Sequence, residues 1–288
     1  MVIDNQTQQT IACLDGSQVS RAVCDAAAWS AQRLETPLLL LNAIERDPYG
    51  AADLTGQLGF GARTELLQAL ADADAARSRV ALAHGRAVLS EAEAYAEASF
   101  AGQVTTLQRH SPLLDALTEL SDVTRLVVMG RQGDAHRDTE DRLGVHVEHV
   151  ARGLKQPLLI IRDGFSPPDQ VMLAYDGSPT AEQAAERMME SPLLTGLTIH
   201  VVMIGEITSE RERIVHACVN RFQDAGFNAR GANSVGEIAA AICTYQSAHS
   251  IGLTVMGAYG HSRVRHWLLG SHTSELLRVS TTPVLLLR

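Results

Sequence analysis

Short apolar runs alternate with amphipathic stretches along the whole chain. Residues 10–14, 38–44, 103–107, 125–129 and 157–161 carry such runs, of which Leu38-Leu39-Leu40-Leu41 is typical. Near-continuous apolar runs suit parallel strands covered on both faces. Between them the period changes. In residues 19–34, Val23, Ala27, Ser30 and Leu34 share one helical face, and Pro37 stops the segment. Residues 47–61 read as a glycine-rich surface loop, and residues 64–100 as an Ala-, Leu- and Glu-rich helix broken near Gly85. Ser111 and Pro112 fit the N-cap and first position of a helix reaching residue 120. A helix over 145–154 leads to the fifth strand.

The pattern then restarts. Strands are expected at 170–175, 197–204, 227–231, 253–256 and 284–287. Helices are expected at 180–189, 210–225, 236–249 and 271–279, with Gly226 a suitable residue just past the second. Asp176-Gly177-Ser178 echoes Asp15-Gly16-Ser17, and Met256-Gly257 echoes Met129-Gly130. The chain is therefore an internal repeat of two units, 1–163 and 170–288, joined by a linker holding Gly164, Pro167 and Pro168. The first unit is longer by an insert within 47–81. Strand and helix alternate in each, which predicts an α/β fold of two doubly wound parallel sheets.

Composition narrows the class. The 288 residues suffice for two domains of about 150 residues each. Net charge is -9 with no basic run, which argues against nucleic acid as a partner. Cys13, Cys24, Cys218 and Cys243 form no Cys-x-x-Cys pair, as expected of reduced thiols in a cytoplasmic protein. No secretory leader and no apolar run near ~20 residues, a membrane span, is seen.

Candidate chemistry lies in the last unit. Gly257, Gly260, Gly270 and Ser271 follow the spacing Gly-x2-Gly-x9-Gly-Ser between two strands. Bare glycine backbone lets an anion approach closely. Ser271 falls at a helix N-terminus, whose free N–H groups bind phosphate. The intervening loop holds Arg263 and Arg265 and no acid; these arginines are either solvated or phosphate contacts.

These four residues resemble the nucleotide loop of the universal stress protein family, and the resemblance extends over nearly the whole chain as two tandem units. It implies a Rossmann-like sheet of order 3-2-1-4-5 in each unit, paired through the last strands into a pseudo-dimer. It also implies ATP, with or without magnesium, in the second unit. Asp176 would face the ribose or metal side, main-chain atoms near Met203 the adenine, and Gly257, Gly260, Arg263, Gly270, Ser271 and Thr273 the phosphates. Asp176 is otherwise a helix cap.

The first unit departs from the pattern. Ten residues rather than nine separate Gly133 from Gly144, Val145 replaces the serine, and Asp134, Asp138, Glu140 and Asp141 occupy the loop against Arg137 and Arg142. Those carboxylates would repel a triphosphate. Asp15 is read as a helix cap. His146, His149, His261, His266 and His272 complete no recognisable metal set. No GxxxxGK[ST], GxSxG or HExxH motif is present, so a non-enzymatic regulator is expected. A slow ATPase or phosphotransferase, and a nucleotide-free scaffold using the 64–100 helix, are the alternatives. A homodimer and an unknown protein partner are also expected.

Overall fold

The computed structural model describes residues 8–45, 60–131, 145–257 and 271–288, and of residues 60–67, 70, 74, 145, 271 and 272 the backbone only. The first half runs β1 (Gln9–Cys13), α1 (Ser20–Leu34), β2 (Leu38–Ala43), α2 (Phe60–Ser99), β3 (Val104–Arg109), α3 (Leu113–Glu119), β4 (Thr124–Gly130), α4 (Val145–Gly153) and β5 (Leu158–Ile161). The second runs β6 (Gln170–Ala174), α5 (Pro179–Glu190), β7 (Thr198–Ile204), α6 (Ser209–Asp224), β8 (Asn228–Ser234), α7 (Ile238–Ala248), β9 (Leu253–Gly257), α8 (Ser271–Val279) and β10 (Val284–Leu287).

All ten strands join one sheet, in the order β3-β2-β1-β4-β5-β10-β9-β6-β7-β8. Each half keeps the order 3-2-1-4-5, with parallel pairing throughout. The halves meet through the expected last strands, β5 antiparallel to β10 with Leu159 opposite Leu285. The central strands are buried on both faces, which explains their unbroken apolar runs. Helices α1, α2, α5 and α6 cover one face over a single core that spans both halves. Helices α3, α4, α7 and α8 cover the other, where α8 sends Leu277 into one core and Leu276 into the next.

Arginines fasten the seam. Arg162, just past β5, donates to the Ser280 carbonyl beyond α8 at 3.3 Å, and Arg288, just past β10, donates to the Ala151 carbonyl in α4. Each cation meets the carbonyl end of the other half's last helix, where the helix dipole favours it. On the opposite face Arg33 donates to the carbonyls of Leu193 and Thr195.

Three local expectations are corrected. Helix α2 is continuous through Gly85. The glycine is there for a close crossing: a Cβ would lie 2.2 Å from Asn42 Oδ1 and 2.3 Å from Gln108 Nε2. Ser111 does not cap α3, whose first residue is Leu113; the Leu113 N–H donates instead to Glu45 Oε1 at 3.0 Å. Asp15 does not cap α1, which starts behind Val19. It accepts from the Ser17 N–H at 3.0 Å and the Ser20 hydroxyl at 3.3 Å. The expected loop at 47–61 falls largely outside the described residues, and its last two residues open α2.

Candidate functional site

Strand β6 lies between β9 and β7. The chain leaves β6 for α5 on one face and leaves β9 for α8 on the other, which opens a crevice at the carboxyl ends. Asp176, Gly177 and Ser178 form its near lip. Asp176 Oδ1 accepts from the Ser178 N–H at 2.9 Å, Gly177 takes a φ of +74°, and Ser178 caps α5 through the Ala181 N–H at 3.2 Å. This turn leaves Asp176 exposed. Behind it, the buried Tyr175 donates its hydroxyl to Glu182, which also accepts from Arg221. Burial, then the bond to Glu182, pushes the phenol well above its ordinary range, so it stays a donor.

Gly257 ends β9 on the neighbouring strand, level with the Asp176 turn. A Cβ there would lie 2.4 Å from the Thr180 carbonyl oxygen. Its bareness thus lets the end of β9 close onto the first turn of α5; it is a packing requirement before it is a ligand requirement. Ser271 is the first residue of α8, and Thr273 is half-buried in the same turn. Gly260, Arg263 and Gly270 lie outside the described residues.

Met203 stands apart from this group. Its side chain is 2 % exposed in the core. The Tyr175 N–H donates to the Val202 carbonyl and the Gly205 N–H to the Ser234 carbonyl. Backbone direction alternates along a parallel strand, so Met203 and Gly205 turn toward β8, while Val202 and Ile204 turn toward β6 and the crevice. The Ile204 carbonyl accepts from Arg211 Nη1 at 3.4 Å, as does the Glu206 carbonyl at 3.3 Å. Arg211 therefore lies across the end of β7. Sequence reasoning missed it, although a cation in the first turn of a helix, opposed by the dipole, was a readable anomaly.

In the first half α2 packs closely on the matching turn and on the strands beside it. A Cβ on Gly16 would lie 2.8 Å from Val88 Cγ2 and 3.0 Å from His84 Nε2. The buried Asn42 donates to the Leu14 carbonyl at 2.8 Å, and Gln108 to the Leu82 carbonyl of α2 at 3.3 Å. The middle of α2 thus lies against the carboxyl ends of β1, β2 and β3.

A sequence model described as the universal stress protein family matches residues 7–162 and 206–288. The chain belongs to that family. The second match starts beyond β6, α5 and β7, a stretch that the strand registers nevertheless align with β1, α1 and β2. A universal stress protein of a Synechocystis strain is 28% identical over 281 residues, 96% of this chain and 98% of the relative. The fold matches the crystal structure of a universal stress protein from Archaeoglobus fulgidus with a TM-score of 0.70 at 18% identity, covering 99% of this chain and 97% of that one. A Pseudomonas aeruginosa structure described as a putative universal stress protein matches with a TM-score of 0.63 at 16% identity, covering 98% and 94%. Among the described residues, no helix is long and apolar enough to cross a membrane, and no group of three metal-ligating side chains gathers.

Proposed function

We propose that this universal stress protein binds ATP in a second domain, 170–288, as a regulatory ligand in the cytoplasm, while a first domain, 1–163, holds none. One observation carries the reading. Asp176 just past β6 and Gly257 at the end of the neighbouring β9 flank a crevice, and the glycine spacing that follows Gly257 is broken in the first half. The spacing from Gly257 to Ser271 supplies the phosphate cradle, with Gly260, Gly270, Arg263 and Thr273 beside it. A purine reaching β7 meets Arg211 and Ile204 rather than Met203. Asp176 is the lip's exposed carboxylate, and one carboxylate with the phosphates is an ordinary magnesium environment. A regulatory role fits the lack of a catalytic motif in the sequence.

Calorimetry with magnesium and ATP tests this. One site per chain is expected, weakened about tenfold in Asp176→Ala or Ser271→Ala. Absence of saturation at millimolar ATP would overturn the reading, as would two sites per chain. Turnover above about 1 s⁻¹ would replace the regulator with an enzyme.

A further inference from the structure

Leu159 and Leu285 occupy the same place in their respective halves, and they face each other across β5 and β10. A pseudo-twofold axis therefore passes through that pair. On the α1 and α5 face it creates two matched seams. In one, the linker is packed in. Phe165 sits on Trp29 with ring centroids 5.5 Å apart, and Pro168 reaches within 2.9 Å of where a Cβ on Gly252 would be. Aligning Asp15-Gly16-Ser17 with Asp176-Gly177-Ser178 matches Trp29 to Glu190, and the β4 and β9 registers match Gly252 to Arg125.

In the other seam, where Glu190 takes the place of Trp29, there is a cavity of about 220 Å³. Leu34, Leu285 and Leu287 line it, together with Arg125, Arg187 and Glu190. Two arginines thus stand among the lining residues against one glutamate. Among the described residues, neither Arg125 nor Arg187 has a side-chain hydrogen bond or ion pair.

We propose that this cavity binds a small aromatic carboxylate. The twin seam shows that this place tolerates aromatic packing, since Phe165 sits there on Trp29. Closed apolar cavities of about 150 Å³ accommodate benzene, so this partly open one of about 220 Å³ has room for a phenyl ring with a short arm. The guanidiniums select the end of that arm, because a planar fork pairs with a carboxylate through two parallel bonds. The site draws on both halves and lies away from the crevice at β6, so it does not depend on nucleotide binding.

The test is a titration of the full chain with 3-phenylpropionate, followed by calorimetry and by the thermal midpoint. Saturable binding in the millimolar range or tighter is expected, with a rise in midpoint. Arg125→Gln should weaken it roughly tenfold, and the uncharged 3-phenylpropanamide should bind equally weakly to both proteins. Glu190→Trp, which copies the plugged seam, should abolish binding while the protein stays folded. Equal affinity for acid and amide, undiminished binding by Glu190→Trp, or no saturable binding would each overturn the proposal.

Discussion

Where α1 meets α2, the Arg21 guanidinium lies over the Tyr95 ring at 4.6 Å, and the Tyr95 hydroxyl donates to Asp25 at 2.7 Å. Where α5 meets α6, Glu182 and Glu186 stand at the positions of Arg21 and Asp25, and both accept from Arg221. The cation has moved to the opposite helix and the contact persists. What the repeat preserves is complementarity at a crossing rather than residue identity. The same holds at the strand ends. Gly177 touches Ile214 as Gly16 touches Val88, which places Arg211 on Gly85. One half fits its helix by removing a side chain and the other by adding one.

The sharpest contrast is His200, which stands where the first half has Leu39. It is fully buried. The Arg230 Nε–H donates to its Nε2 at 2.9 Å, Gln170 Oε1 lies 2.8 Å away, and the Tyr245 hydroxyl is 2.9 Å from Nδ1. Burial first, then the charges of Arg230 and His249, lower its pKa from 6.5 to about 4. The folded chain thus refuses a proton that the unfolded chain accepts. The stability of the neutral network is full above the unfolded value and is lost as pH falls through the window from 6.5 to about 4. The loss reaches roughly 3 kcal/mol. Urea denaturation at pH 7 and pH 4.5 checks this. The advantage of the wild type over His200→Gln should shrink on acidification, and a constant advantage would remove the contrast with Leu39.

Gly85→Ala comes next. Helix propensity alone would stabilise α2 by about 1 kcal/mol. The new methyl meets Asn42, which is held by Leu14, so a net loss of about 1–3 kcal/mol is expected from equilibrium unfolding. Arg211→Ala, at the matched position of the second half, should stay within about 0.5 kcal/mol. Stabilisation by Gly85→Ala would show that α2 does not press on the ends of β2 and β3. The smallest effect belongs to Tyr95→Phe. Loss of the Asp25 bond should cost about 1 kcal/mol in thermal unfolding and leave the α5–α6 contact untouched.

Much of the fold was legible in residues. Leu38 to Leu41 announces a strand covered on both faces, and the echo of Asp15-Gly16-Ser17 in Asp176-Gly177-Ser178 announces the repeat. The partnership of β5 and β10 was implied by the family resemblance rather than by any residue pattern. The misreadings share a cause. Gly85 and Ser111 were judged by local propensity, and tertiary partners decide both: Asn42 and Gln108 for one, Glu45 for the other. The peptide direction at Met203, by contrast, is visible only once its strand is paired with β8. The cavity near Arg125 is a difference between two seams and has no signature in either stretch alone.

Because β5 and β10 are spent on each other, the sheet ends, among the described residues, in two flanks, β3 and β8. The β8 flank, Asn-Ala-Arg-Gly-Ala-Asn-Ser, is polar and interrupted by glycine, a poor template for strand addition. The molecule is in this sense already a dimer with itself. The terminal-strand handshake that unites the halves is thereby closed to any second copy.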